Sequence, residues 1–337
     1  MTATDERRRP LRVAAVQAAP VFMDRQASLG KALHLIEQAA AAGAQLVAFG
    51  EAWLPGYPWW IWLDSPAAGM PWAVRLHAQA LVREGTEMAQ LSAAARKHAI
   101  VVVMGHVERF GASLYLAQSI IDVDGTVQHR RKLKPSNHER SLFGEGDGSD
   151  LRVKETAAGR VGALCCWEHL MPLSRHALAM QHAQIHVAAW PALSMGRDWR
   201  YTIGPAMTAA INQTLAVESA CFVIAPTAVL DQDLIAALCD TPEKRRLMGV
   251  EGRSAAGGAA MVYGPDGAPM APPLPEDQEG LVLADLDFSA LTLAKRVLDT
   301  TGHSARPDVL RLHVDYRAQP SVVYTEAPPS SSHGSEP

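Results

Sequence analysis

Short apolar runs alternate with helix-period segments along most of this chain, and that alternation restricts it to α/β folds in which helices cover sheets buried on both faces. Residues 11–18 form the first apolar run; after Pro20 the positions Leu29, Ala32, Leu33, Leu35, Ile36 and Ala39 keep helical spacing until Gly43 stops the helix. A second run at 46–49 ends at Gly50-Glu51, which sets Glu51 just beyond a strand's C-terminal end, where open α/β sheets place their sites. Beyond an aromatic loop, 88–98 reads as a helix and 100–104 and 115–123 as strands. Asp124-Gly125 then turns a hairpin whose second strand, Val127–Arg131, delivers Lys132. Further strands are expected at 160–165, Ile185–Ala189, 221–225, 259–263 and Gly280–Leu286, and helices at 173–181 and 205–215.

No low-complexity break interrupts this order before Glu326. Residues 11–325 therefore read as one α/β domain with mixed strand pairing, after a flexible N-terminus at 1–10 and before a Pro- and Ser-rich, disordered tail at 326–337. The 31 basic and 35 acidic residues leave a formal charge of −4, too little positive field for nucleic acid or an anionic membrane surface as partner. The run Arg7, Arg8, Arg9 reads as a solvated tail. No apolar stretch reaches transmembrane length, and Arg12, Gln17, Pro20 and Asp24 interrupt the apolar region a secretory signal would need, so the expected location is the cytoplasm. Four cysteines, Cys165, Cys166, Cys221 and Cys239, are too few for a disulfide framework and form no CxxC pair, so each has to be judged alone.

Cys166 follows an expected strand and precedes Trp167-Glu168-His169 and a helix, a setting in which a strand-to-helix turn lifts a nucleophile out of the sheet. Burial as an inert thiol is the commoner fate of an intracellular cysteine, by roughly four to one. Strand alternation sends Cys165 and Cys166 to opposite faces; with Cys166 as the reactive thiol Cys165 is structural, and the pattern alone does not choose between them. Lys132 sits in a basic cluster, Arg130-Arg131-Lys132-Leu133-Lys134, that would ordinarily be a solvated face. Beside a thiol, its ammonium would instead favour thiolate and stabilise negative charge developing during attack on carbon. Glu51 taken alone would be a surface carboxylate.

Taken in order, Glu51 in Leu46-Val47-Ala48-Phe49-Gly50-Glu51, Lys132 in Arg131-Lys132-Leu133-Lys134-Pro135 and Cys166 in Cys165-Cys166-Trp167-Glu168-His169 resemble the nitrilase family. The resemblance runs from Ala14-Ala15-Val16-Gln17 to Arg306-Pro307-Asp308 and includes Phe143-Gly144-Glu145-Gly146 and Ala188-Ala189-Trp190-Pro191. It implies a four-layer α-β-β-α sandwich, a second glutamate at Glu139, and a homo-oligomer, with filaments as one form of it. This chain departs from the family at Ser136, where Thr is usual, at Ser304-Ala305, where Tyr-Ser is common, and at Gly50, where a proline is common. The glycine is expected to loosen the backbone at Glu51.

The resemblance also implies the chemistry: conversion of organic nitriles, with water, to carboxylic acids and ammonia. Cys166 would be the nucleophile, Glu51 the general base and acid, Lys132 the stabiliser of tetrahedral species, and Glu139 a supporting carboxylate. The aromatic residues Trp53, Tyr57, Trp59, Trp60 and Trp62 either wall the pocket, favouring aryl or arylacetonitrile substrates, or pack in the core or an oligomer contact. Trp53, Tyr57, Trp167 and Trp190 are the candidate substrate-binding residues. His182 and His186 have helical ligand spacing, but a strand opens at the second, so they read as structural; the acidic glycine-rich stretch 144–148 lacks the ending of a phosphate loop. No cofactor or metal is implied. The rival readings are a hydrolase of amides or carbamoyl compounds, a nitrile-hydrating enzyme releasing amide, and an inactive oligomeric scaffold.

Overall fold

The computed structural model describes residues 10–196 and 204–319. In chain order its strands are β1 (Leu11–Gln17), β2 (Leu46–Ala48), β3 (Val101–Phe110), β4 (Ser113–Ile121), β5 (Val127–Arg131), β6 (Lys154–Thr156), β7 (Gly159–Cys165), β8 (Ile185–Ala189), β9 (Phe222–Ala225), β10 (Met261–Tyr263) and β11 (Gly280–Leu286). The helices are α1 (Arg25–Ala41), α2 (Trp60–Leu63), α3 (Met70–Gln79), α4 (Thr86–His98), α5 (Pro172–Ala179), α6 (Pro205–Ser219), α7 (Gln232–Leu238), α8 (Pro242–Met248) and α9 (Ser289–Val297). The expected flexible ends fall, apart from Pro10, outside the described residues.

One sheet has the order β11-β1-β2-β3-β4-β5 and the other β10-β9-β8-β7-β6. Both are mixed: β1, β2 and β3 run parallel, as do β7, β8 and β9, with antiparallel strands outside them. Period-two alternation explains why the strands read as continuous apolar runs. In β1, Val13 and Ala15 join Val161, Ala163, Ile185 and Val187 in the core between the sheets, while Ala14 and Val16 face α1 and α4 in a second core. On the far side Ile211, Leu215 and Ala216 of α6 cover Ala188, Val223 and Ala225. The layers are thus helix, sheet, sheet, helix, the four-layer sandwich the sequence led us to expect.

Local chemistry sets the boundaries. Asp24 caps α1 by accepting from the Ala27 N–H at 2.9 Å, and the chain leaves that helix through Gly43 at φ +82°. β3 runs six residues past the expected end at 104, because His106 and Glu108 find partners inside: Ser119 for the histidine, Arg83 and Arg131 for the glutamate. An apolar pattern alone stops at Gly105. Likewise α2 and α3 occupy what read as an aromatic loop, and α7, α8, α9 and β6 had no clear periodic signal.

Four strand ends converge on one place. β2 leads to Glu51, β5 to Lys132, β7 to Cys166 and β8 to Trp190. The ends of β2 and β8 belong to different sheets, and Gly50 is where they meet: a Cβ there would lie 2.6 Å from the Trp190 carbonyl oxygen and 3.1 Å from the Ala228 nitrogen. The Glu51 N–H donates to that same carbonyl at 3.1 Å. The expectation of a loosened backbone is therefore corrected: Gly50 permits close approach and holds Glu51 in place.

Candidate active site

Lys132 turns inward from the end of β5 and is fully buried. Its Nζ donates to Glu51 Oε1 at 2.7 Å and to Glu139 Oε2 at 2.8 Å. Burial works against the ammonium, yet the two carboxylates outweigh it and hold Lys132 well above the ordinary lysine pKa. At Glu51 the balance falls the other way: burial pushes the carboxyl up, the Lys132 charge pulls it down, Glu139 pushes it up again, and the result is a raised pKa. Glu51 Oε2 has no hydrogen-bond partner among the described residues, so one buried oxygen remains free to take a proton.

Glu139 is set by a capping box on the short 3-10 turn Asn137–Ser141, with Ser136 as the cap. Its Oε2 accepts from the Ser136 N–H at 2.6 Å and its Oε1 from the Tyr57 hydroxyl at 2.8 Å. The hydroxyl that replaces the family's usual threonine thus keeps the capping role. Tyr57, expected as a substrate contact, is also the residue that orients this carboxylate.

The same device recurs at the thiol. Cys165 caps the 3-10 turn Cys166–Leu170, and Glu168 closes the box by accepting from the Cys165 N–H at 2.8 Å. Cys166 itself stands at φ +46°, a left-handed conformation that swings its side chain away from the line of β7. Cys165 is fully buried, while Cys166 is partly exposed and lines the cavity. Burial, then the Glu51 charge, pushes the Cys166 thiol well above the ordinary thiol range, with Lys132 and the Trp167 N–H opposing. The resting state of Cys166 is therefore the thiol, and with Glu51 pushed up to about 8 only the ionised fraction of that carboxyl can accept a proton from it near neutral pH. Beneath the turn His169 Nδ1 meets the Cys166 carbonyl at 2.6 Å and His169 Nε2 meets His186 Nε2 at 3.0 Å. Burial lowers the pKa of His169 to about 4 and that of His186 further, so both are neutral packing partners.

Tyr57, Trp59, Trp62, Trp167 and Trp190 line the cavity above Cys166, and Glu139 is part of its wall. Trp53 does not: its indole N–H donates to the Ala18 carbonyl at 2.8 Å and its ring packs on Phe49, because the chain has not yet left the core two residues after Glu51. Trp60 stacks on Trp72 instead. The aromatic stretch thus divides between wall and core. Sequence reasoning missed Arg130 and Glu168, a buried pair beside the thiol; the spacing Cys-x-x-Glu, matching Ser-x-x-Glu at 136–139, was the available signal.

The titration has a testable consequence. A base at Glu51 has to be ionised to accept a proton, and a raised pKa moves that requirement toward neutrality. We expect kcat/KM to fall as pH drops through a midpoint clearly above the ordinary glutamate value of about 4.3. An acid limb at that ordinary value would remove Glu51 as the base.

A thiol backed by a buried ammonium and carboxylates, in a four-layer α-β-β-α sandwich, defines a hydrolase that attacks carbon through cysteine. More particularly, the chain belongs to the carbon-nitrogen hydrolase family, whose profile matches residues 12–296. It is 50% identical over 328 residues to a nitrilase of Pseudomonas syringae pv. syringae, covering 97% of this chain and 96% of that protein. It is 44% identical to an aliphatic nitrilase of Rhodococcus rhodochrous, over 91% of this chain and 83% of that one. A carbon-nitrogen hydrolase from Helicobacter pylori shares the fold with a TM-score of 0.68 at 19% identity, over 88% of this chain and 96% of the other.

Proposed function

We propose that the chain is a nitrilase, hydrolysing organic nitriles to carboxylic acids and ammonia. The observation that carries the reading is the buried Glu51-Lys132-Glu139 cluster beside Cys166, and the similarity to nitrilases over nearly the whole chain supports it. Cys166 sulfur attacks the nitrile carbon while its proton passes through Glu51 to nitrogen, giving a covalent thioimidate. Glu51 then takes a proton from water as it adds, and the tetrahedral species expels ammonia to leave an acyl thioester. A second water releases the acid and restores the thiol. Lys132 stabilises charge on the tetrahedral species, and Glu139 with Tyr57 holds the lysine. Expulsion of the thiol from the first tetrahedral species would give amide instead. Residues 11–325 act as one domain, working in the cytoplasm, and its cysteines at 165, 166, 221 and 239 are free.

The substrates are aryl or arylacetonitriles. Tyr57, Trp59, Trp62, Trp167 and Trp190 offer ring faces and edges to an aromatic group, whereas a relative named for aliphatic substrates shows that the family alone does not set this preference. Ammonia, acid and amide should be quantified together for phenylacetonitrile, benzonitrile, an aliphatic dinitrile and the matching amides. Acid as main product, with phenylacetonitrile preferred about tenfold or more in kcat/KM over the dinitrile, is the expected result. Turnover of amides with silence on every nitrile would move the activity to the amidase side of the family.

The active form is a homo-oligomer. Leu170, Met171 and Leu173 are exposed around the start of α5, as are Leu293 and Val297 on α9, the last 82% exposed. Light scattering after size exclusion should give a mass well above the 36.2 kDa of one chain, and a Leu170→Glu/Leu173→Glu variant should be smaller. A wild-type monomer at micromolar concentration would remove the proposal, and a filament would be its open-ended form.

A further inference from the structure

We propose that Glu168 is a positioning residue that fixes Cys166 and Lys132 relative to each other across the gap between the two sheets. The inference rests on the reading that these two residues carry the chemistry. Lys132 follows β5, an edge strand of one sheet, and Cys166 follows β7 of the other. The ladders hold each residue to its own sheet, and the main-chain bonds that join the sheets, from Glu51 N–H to the Trp190 carbonyl and from Thr227 N–H to the Val16 carbonyl, do not lie on β5 or β7. The backbones that carry sulfur and ammonium are therefore held together most directly by what crosses between β5 and β7.

Glu168 crosses there with all of its hydrogen-bonding capacity engaged. Oε2 accepts from Arg130 Nη1 at 2.8 Å and from the Cys165 N–H at 2.8 Å. Oε1 accepts from Arg130 Nη2 at 2.7 Å and from the Leu133 N–H at 2.9 Å. One carboxylate thus holds the backbone immediately before Cys166 and the backbone immediately after Lys132, while Arg130, two residues before that lysine, locks its rotation by a bidentate pair. Arg130 Nη1 is steadied in turn by Gln118 Oε1 at 3.1 Å on β4. Both partners of the pair are buried, with side chains 3% and 0% exposed. An ion pair that served burial alone would need no main-chain donors from both catalytic segments. A buried pair is also a weak source of stability compared with apolar residues of the same volume. A misplacement of about 1 Å between reacting groups, by contrast, costs about 10²-fold in rate.

Three variants test this: Glu168→Asp, Glu168→Gln, and the double variant Arg130→Met/Glu168→Gln. Each is measured for Tm, kcat, KM and the second-order rate of Cys166 alkylation by iodoacetamide. The aspartate keeps the charge but is one methylene short of spanning both main-chain donors, so kcat should fall about tenfold or more with KM within about threefold. Glu168→Gln alone strands the Arg130 charge and should lose Tm. The double variant removes that charge, so Tm should recover while kcat and the alkylation rate stay about 30-fold down or lower, because one amide face still opposes a main-chain donor. A double variant within threefold of wild type in kcat and alkylation would overturn the proposal, as would Glu168→Asp at the wild-type rate. Failure of the nitrilase reading shows separately, as wild-type silence on nitriles. The alkylation rates then decide, unchanged rates in Glu168→Asp and the double variant overturning the clamp and slowed rates supporting it.

Discussion

Lys132→Met is expected to abolish turnover and to destabilise the fold more than any surface substitution in this chain. The ammonium is fully buried between Glu51 and Glu139, at 2.7 and 2.8 Å. Removing it leaves two buried carboxylates with no cation between them, and breaking a buried pair from one side costs about 3–5 kcal/mol. Glu51 responds by holding its proton, so its pKa, already raised, rises further. A folded-state pKa above the unfolded value contributes stability below the unfolded pKa and loses it as pH rises through the folded one. The deficit of the variant relative to wild type should therefore be largest at alkaline pH and shrink as pH falls toward about 4, which urea unfolding at a series of pH values would read. On the proposed mechanism, in which this cation offsets charge on the tetrahedral species, its loss should lower kcat by about 10³-fold or more. A variant keeping a tenth of wild-type kcat and an unshifted unfolding midpoint would show that the lysine is neither the charge stabiliser nor the core of the cluster.

That burial was the part of the site least legible in the sequence. Arg130, Arg131, Lys132 and Lys134 look like one basic face, but strand parity sends Arg130 and Lys132 inward, where both are buried, and Arg131 to the other side with Glu108, whereas Lys134 lies beyond the end of β5, exposed and paired with Glu145. Strand period, applied to the charged residues as well as the apolar ones, would have set Arg131 apart from Arg130 and Lys132; only the end of the strand sets Lys134 apart. The positions of Glu51 and Cys166 were legible because each follows directly on an apolar run, and a strand end is a geometric fact that sequence carries well. What the aromatic residues do was not legible. Trp53 and Trp59 lie on one short stretch, yet one packs against Phe49 and the other lines the cavity, because the path of the chain is set by contacts with distant residues such as Ala18 and His138. The Glu168 link was hidden for the same reason, since its partners Arg130 and Leu133 are more than thirty residues away in the chain.

Replacing Cys166 by alanine and by glycine separates the chemistry of this position from its backbone strain. Both variants lack the proposed nucleophile, and both should fall to the level of background hydrolysis, a loss of about 10⁴-fold or more. Residual activity in both would shift the nucleophile away from Cys166. Stability should divide them in the unusual direction. At an ordinary strand or helix position glycine is less stable than alanine by about 0.5–1 kcal/mol, because it loses more backbone freedom on folding. Cys166 stands at φ +46°, where a Cβ costs about 1–2 kcal/mol that glycine does not incur. The Cys166→Gly variant should therefore be the more stable of the two by up to about 1 kcal/mol, giving a higher Tm at equal inactivity. The reverse order would mean that the turn relaxes without cost once the sulfur is gone, and that the left-handed conformation comes from the thiol's contacts with Trp167 rather than from the cap formed by Cys165 and Glu168. The expected order instead makes the strain a property of the turn itself, as at Asn137, which follows the Ser136 cap at φ +45° just as Cys166 follows the Cys165 cap.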